Sequence, residues 1–178
     1  MKQTNILIAG FGGQGILFAG KFLAYMGLIN RRQVSWLPSY GPEMRGGTTN
    51  CGVILSDAPI GSPMVNQPDI LVVMNAPSID RFEPECTENG RVFIDSSLVP
   101  RKLNRGDLLG WYIPATAMSI DNGLTGLANL IMIGKFIKET GICSYDDIEP
   151  ALKKTISESK KNLYNANLKA LDLGYNYQ

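Results

Sequence analysis

Histidine is absent from this chain of 178 residues, and cysteine occurs only three times, at Cys51, Cys86 and Cys143. Without histidine, the chain has no imidazole to act as a general base. The cysteines lie far apart and form no C-x-x-C pair, so they offer no typical ligand set for zinc or an iron–sulfur cluster. They are also too few for a disulfide framework. We therefore expect no metal site in this chain acting alone.

Charge and long apolar runs are also scarce. Charged residues make up 19% of the chain and the formal net charge is +1, which gives no electrostatic reason to expect nucleic acid or an acidic membrane surface as a partner. No apolar run approaches the roughly 20 residues that span a bilayer. The first predicted strand begins within a few residues of Met1, which leaves no room for a signal peptide. These features predict a cytoplasmic protein that binds neither membrane nor nucleic acid.

Predicted strands and helices alternate along the chain, which favours an α/β fold. We expect one domain over residues 1–178, built as a three-layer Rossmann-like domain with a mainly parallel sheet. Gly27 suits the end of the first helix and Pro38 the end of the second strand. The sequence predicts strands over 4–10, 33–36, 48–56, 70–75, 91–95 and 111–113, helices over 14–26, 78–86 and 124–138, and an amphipathic, lysine-rich stretch to about residue 171.

A glycine-rich turn follows the first strand. Gly10, Gly12 and Gly15 have the G-x-G-x-x-G spacing that lets a backbone approach a pyrophosphate above a helix N-terminus. We expect the N–H groups of Gly12, Gly13 and Gln14 to face a phosphate or a carboxylate, and a Cβ at Gly12 to obstruct the turn. Alternatively, the glycines only supply positive φ angles and close packing in a tight turn.

A dinucleotide site would need an acidic residue about 20 residues after the turn, to bind the ribose. The segment 34–38 at the end of the second predicted strand contains no carboxylate. This absence disfavours an ordinary dehydrogenase that uses a nicotinamide or flavin cofactor.

A second loop, residues 39–47, combines three glycines with Ser39, Tyr40, Glu43 and Arg45. Arg45 either binds a carboxylate or phosphate through two hydrogen bonds or pairs with Glu43 to hold the loop. Because both loops follow predicted strands, they are expected to face one site at the carboxyl edge of the sheet. Asp95 also follows a strand, where it is expected to cap the next segment, and Cys51 is expected in the core.

The two loops closely resemble those of the gamma subunit of 2-oxoacid:ferredoxin oxidoreductases. The resemblance extends to Pro68-Asp69-Ile70-Leu71-Val72 and Ile113-Pro114-Ala115-Thr116, and it covers nearly the whole chain. It implies a complex that oxidatively decarboxylates a 2-oxoacid, transfers the acyl group to coenzyme A and passes electrons to ferredoxin. Thiamine diphosphate and the iron–sulfur clusters would lie on separate alpha, beta and, in some complexes, delta subunits. This chain would be a subunit of the enzyme without catalytic residues of its own.

The resemblance also implies that this chain receives coenzyme A. The residues expected to meet the coenzyme's phosphates are Gly10, Gly12, Gly13, Gln14 and Gly15. Those expected to line its path or a subunit interface are Ser39, Tyr40, Glu43, Arg45, Gly46 and Gly47. The chain looks most like the 2-oxoglutarate type, although pyruvate, branched-chain 2-oxoacid and indolepyruvate versions share these motifs. Two alternatives stay open: a purely structural subunit, and a free-standing nucleotide-binding oxidoreductase.

Overall fold

The computed structural model describes residues 3–40 and 48–178. Six strands in this part of the chain form one sheet in the order β2-β3-β1-β4-β5-β6. The strands are β1 (Gln3–Phe11), β2 (Gln33–Tyr40), β3 (Thr48–Ser56), β4 (Ile70–Val73), β5 (Arg91–Asp95) and β6 (Leu109–Ile113).

The sheet is mainly parallel, as predicted. Strands β1, β4, β5 and β6 run in one direction, and β3 lies antiparallel between β1 and β2. The central strand β4 is buried at all four positions, which explains why it reads as an unbroken apolar run in the sequence.

Helices cover both faces of the sheet. On one face, Phe22 of the first helix, Phe136 of the fourth and Phe93 of β5 belong to one buried cluster; on the other, Ile79 and Phe82 of the second helix cover the sheet. The chain thus has the predicted three-layer α/β architecture. The helices are α1 (Ile16–Ile29), α2 (Ala76–Phe82), α3 (Ala115–Asp121), α4 (Ala128–Thr140), α5 (Ile148–Thr155) and α6 (Tyr164–Tyr175), with 3₁₀ turns at Glu83–Glu85, Tyr145–Asp147 and Glu158–Leu163.

Two predicted element ends are wrong. Pro38 lies inside β2 instead of ending it, because β2 is an edge strand, where a residue without an N–H group is tolerated. Gly27 lies inside α1 instead of ending it. A Cβ at Gly27 would be 2.5 Å from Leu55 Cδ2 and 2.9 Å from Val34 Cγ2, so glycine here lets the helix lie close to the sheet.

The helix predicted over 124–138 is α4, which begins at Ala128. The helix before it, α3, was not predicted. Gly123 and Gly126 have φ angles of 66° and 87° and form the link between α3 and α4. The C-terminal stretch is amphipathic, as predicted, but α6 buries one face, where Ala170 and Leu171 are fully covered. None of the helices in the described residues is both long and apolar enough to cross a membrane.

Candidate functional site

The glycine turn between β1 and α1 depends on Gly15 in two ways. Its φ of 74° lies in the left-handed region that favours glycine, and a Cβ there would be 2.5 Å from the side-chain nitrogen of Asn129. Gly13 shares the positive φ, at 93°, but has no atom within 4 Å of an added Cβ. Gly15 therefore supplies both the positive φ and the close packing of the tight-turn interpretation, and Gly13 supplies the positive φ alone.

Gln14 connects the ends of two neighbouring strands. Its side-chain Oε1 accepts a hydrogen bond from the Phe11 N–H (2.6 Å), and its Nε2 donates to the Met74 carbonyl (2.9 Å). A Cβ at Gly10 would be 2.5 Å from this Oε1, so Gly10 makes room for the connection. The Gln14 N–H donates to the Phe11 carbonyl (3.2 Å). The expectation that this N–H faces a ligand is therefore wrong, since the turn itself uses it.

Gly12 is different, because the fold does not require glycine at this position. Its φ lies outside the left-handed region, and the atom nearest to an added Cβ is Thr49 Oγ1, at 3.8 Å. The expectation that a Cβ at Gly12 obstructs the turn is thus wrong. Gly12 and Gly13 are both exposed, so within residues 3–40 and 48–178 the turn is accessible to a ligand.

The turn leads directly into the N-terminus of α1. Its N-cap residue Gly15 makes no side-chain capping bond, and the first turn contains no acidic residue. The Ala19 N–H donates a hydrogen bond to the Gly15 carbonyl (3.0 Å), and this bond closes the first turn of the helix. The N–H groups of Ile16, Leu17 and Phe18 precede this bond and are therefore free of helical acceptors. Such a helix end attracts anions, which suits the predicted phosphate or carboxylate site.

Three buried polar residues outside the predicted set lie around this edge: Asn75, Ser78 and Asn129. Asn75 Oδ1 accepts from the Ser78 N–H (2.8 Å), and Asn129 Nδ2 donates to the Gly15 carbonyl (3.0 Å). Their other polar atoms, Asn75 Nδ2, Ser78 Oγ and Asn129 Oδ1, are buried with no hydrogen-bond partner in the described part of the chain. Asn75-Ala76-Pro77-Ser78 carried a signal, since asparagine before proline after a buried strand is typical of a helix N-cap. Asn129 carried none.

Asp95 at the end of β5 stabilises the backbone, as predicted. The residue is fully buried. Its carboxylate accepts from the Ser97 N–H (3.1 Å) and from both the N–H (3.3 Å) and the hydroxyl (2.5 Å) of Thr116. These bonds hold the start of α3 against the sheet, so the capping interpretation is confirmed.

The second predicted loop begins beside the glycine turn. The strand register pairs Tyr40 and Gly10 with the same residue, Thr49, and Phe11 with Thr48. The two loops therefore leave the sheet at one edge, as predicted. Ser39 is an exposed residue of β2. Glu43, Arg45, Gly46 and Gly47 lie outside the described residues, and their roles stay predictions.

The cysteine thiols are poor nucleophiles in this fold. Burial raises the pKa of Cys51 to about 12 and those of Cys86 and Cys143 to about 11. Cys51 lies in the core, as predicted. Within residues 3–40 and 48–178, no three His, Cys, Asp or Glu side chains are grouped as metal ligands. The described residues therefore do not fit an iron–sulfur cluster, which needs several thiolates at one place.

Residues 5–177 match the family described as "Pyruvate ferredoxin/flavodoxin oxidoreductase". The chain belongs to this family. Ketoisovalerate oxidoreductase subunit VorA from Methanothermobacter thermautotrophicus is 36% identical over 97% of this chain, and 2-oxoglutarate synthase subunit KorC from Methanocaldococcus jannaschii is 35% identical over 97%. The match covers 92% of KorC but 36% of VorA, so the chain spans about a third of the VorA length.

A solved member of the keto/oxoacid ferredoxin oxidoreductases shares the whole fold. The crystal structure of the gamma subunit from Geobacter sulfurreducens superposes with a TM-score of 0.85 and 28% identity, covering 98% of this chain and 95% of that one. In the family domain described here, the carboxyl edge of the sheet presents N–H groups, amides and a hydroxyl. Its buried carboxylate, Asp95, is already engaged by the backbone and by Thr116. Among the described residues, this arrangement suits the binding of a ligand.

Proposed function

We propose that this chain is the gamma subunit of a cytoplasmic 2-oxoacid:ferredoxin oxidoreductase and that its glycine turn binds the phosphates of coenzyme A. The observation that carries the proposal is an exposed Gly12 that the fold does not require, in a turn that leads into a helix N-terminus without a side-chain cap. A glycine that the fold does not require is expected where a ligand approaches the backbone closely.

The residues that would hold the coenzyme are Gly12 and Gly13 and the first turn of α1, through N–H groups. The coenzyme supplies the thiol that accepts the acyl group. This chain binds and orients it, while alpha and beta subunits, and in some complexes a delta subunit, carry thiamine diphosphate and the iron–sulfur clusters that reduce ferredoxin. The raised pKa values of Cys51, Cys86 and Cys143, which make these thiols poor nucleophiles, support such a division of labour.

We assign 2-oxoglutarate as the substrate of the complex. Support comes from the KorC relative, which aligns with this chain over almost its full length. A branched-chain 2-oxoacid is the second candidate, because the VorA relative is equally similar in sequence. Among residues 3–40 and 48–178, the only charged side chain that we describe at this edge, Asp95, is already engaged, so we place substrate selection on the partner subunits.

Affinity purification of the tagged chain from its native host tests the assembly. We expect a thiamine-binding subunit and its companion to co-purify, and the eluate to reduce ferredoxin with 2-oxoglutarate and coenzyme A. Turnover of a branched-chain 2-oxoacid in its place would reassign the substrate. Recovery of this chain alone, repeated at low salt, would contradict the subunit proposal.

The coenzyme A role is tested by Gly12→Val in the assembled complex, with Gly106→Val as the matched control. Both glycines are exposed, both lie outside the left-handed region, and neither has a close atom at the added Cβ. We expect Gly12→Val to raise the KM for coenzyme A by roughly tenfold or more, the equivalent of one lost charge-assisted contact, with the KM for the 2-oxoacid unchanged. A purely structural subunit would instead lose assembly and keep its coenzyme A KM.

A further inference from the structure

The carboxyl ends of β1 and β4 lie side by side. These strands are parallel neighbours, and the helices that follow them, α1 and α2, pack on opposite faces of the sheet. In open α/β sheets, ligands bind where successive helices diverge in this way. Gln14 connects Phe11, at the end of β1, to Met74, directly after β4. Asn75 follows Met74 in the chain and therefore lies near the glycine turn.

The Asn75 amide is oriented by its neighbour, and this leaves a hydrogen-bond donor unused. Its Oδ1 accepts from the Ser78 N–H (2.8 Å), so the NH₂ group is the one that lacks a partner. The Ser78 hydroxyl beside it also lacks a partner in the described residues. Asn75 and Ser78 are 1% and 0% exposed, so water does not reach either group freely. Buried donors left in this state destabilise a protein unless a ligand uses them.

Asn129 contributes the opposite chemistry on the α1 side of the turn. Its NH₂ group donates to the Gly15 carbonyl, so the group that lacks a partner is the acceptor Oδ1. The residue is 4% exposed and lies at the N-cap of α1. An anion alone does not satisfy this oxygen. It needs an N–H or O–H group from the ligand.

We propose that Asn75, Ser78 and Asn129 complete the site of the glycine turn, and that this site binds a phosphate ester together with a hydroxyl or amide donor of the same ligand. Asn75, Ser78 and the turn N–H groups bind the phosphate oxygens, and Asn129 accepts from the neighbouring donor. Coenzyme A fits this description, because its diphosphate is flanked by hydroxyl and amide groups. Only this choice of ligand rests on the proposed function.

The phosphate half of the site is tested with Ser78→Ala and Asn75→Asp in the full chain, using coenzyme A and inorganic pyrophosphate as probes. Removing the Ser78 hydroxyl takes away an unsatisfied group, so we expect the unliganded chain to gain about 2–4 °C in Tm. The Kd for both probes should rise roughly tenfold. Asn75→Asp keeps the Oδ1 cap but replaces the donor with a negative charge, so its Kd for both probes should rise further.

Ser119→Ala is the matched control. Ser119 is buried like Ser78, at 2% exposed, but its hydroxyl donates to the Thr116 carbonyl (2.8 Å). Removing a satisfied hydroxyl should lower the Tm and leave both Kd values unchanged.

Asn129→Ala tests the acceptor half of the site. We expect Asn129→Ala to raise the Kd for coenzyme A but not the Kd for pyrophosphate, because pyrophosphate offers no neighbouring hydrogen-bond donor.

The outcomes separate this site from the proposed function. Unchanged Kd values in both Ser78→Ala and Asn75→Asp, or a wild-type chain that binds neither probe, would overturn the site. If Gly12→Val raises the coenzyme A KM of the complex while Ser78→Ala and Asn75→Asp do not, the proposed function stands and this site is wrong. If the wild type binds pyrophosphate and ADP but not coenzyme A, and the variants weaken that binding, the site stands and the coenzyme assignment fails.

Discussion

The glycine turn holds Gly15 at a φ of 74°, and the side-chain amide of Asn129 lies where a side chain at this position would extend. Gly12, three residues earlier, has neither constraint. The G-x-G-x-x-G spacing treats both positions alike. Their surroundings separate a glycine that the backbone needs from one that leaves room for a ligand.

At Gly15 we expect alanine to lower the free energy of unfolding by about 1–3 kcal/mol, because a Cβ is strained at this φ and Asn129 must move. Gly12→Ala should change it by less than about 0.5 kcal/mol. Urea denaturation of the two variants beside the wild type measures both values. Equal losses would show that the whole turn, and not Gly15 alone, requires glycine.

At the scale of elements, α4 and α6 touch through their backbones. A Cβ at Gly134 would overlap the Leu171 carbonyl, and one at Gly174 would overlap the Ile131 carbonyl. Ile131, Gly134 and Leu171 belong to the buried layer on this face of the sheet. The two glycines therefore fix how closely α6 packs on the core.

Gly174→Ala should lower the free energy of unfolding by about 3 kcal/mol, the upper end of the usual cost of overpacking, because backbone atoms cannot move aside as a flexible side chain does. Gly61→Ala is the control, since no atom lies within 4 Å of a Cβ there and its φ is not positive. Thermal unfolding followed by circular dichroism compares the two. A Gly174→Ala chain as stable as the Gly61→Ala chain would mean that α6 shifts at little cost.

The sequence predicted most elements because their signals are local. Strand β3 and strand β5 start and end where alternation and turn residues indicated. The errors arise where packing between elements, and not local sequence, decides where an element ends. Pro38 stays in a strand because that strand is at the edge of the sheet, and Gly27 stays in a helix because Leu55 and Val34 come close.

The candidate site divides in the same way. The glycine turn follows from spacing within six residues, so the sequence alone was enough to find it. Asn129 reaches Gly15 from 114 residues away along the chain, and no local pattern indicates this contact. Gln14 was predicted as a ligand contact, but its side chain connects β1 to β4, and only the position of Met74 reveals this.

For the molecule as a whole, the buried thiols couple stability to alkaline pH. Burial raises the pKa of Cys51 from 9.0 to about 12, and those of Cys86 and Cys143 from 9.0 to about 11. Below pH 9 the thiols are protonated in both states and have no effect. Between pH 9 and the folded pKa values, the unfolded chain releases protons that the folded chain retains, so stability falls as the pH rises.

Each thiol is expected to remove about 1.4 kcal/mol of stability per pH unit in this window. Urea denaturation between pH 8 and 10.5 should therefore show a steep loss above pH 9. A chain with alanine at all three cysteine positions is the control. It should be less stable at pH 8, because cavities form in the core, but it should lose less stability per pH unit above 9. If the two chains lose the same stability per pH unit, the alkaline sensitivity comes from other groups. Tyr145 is then the first to test, because its hydrogen bond to Asp172 raises its pKa to about 12.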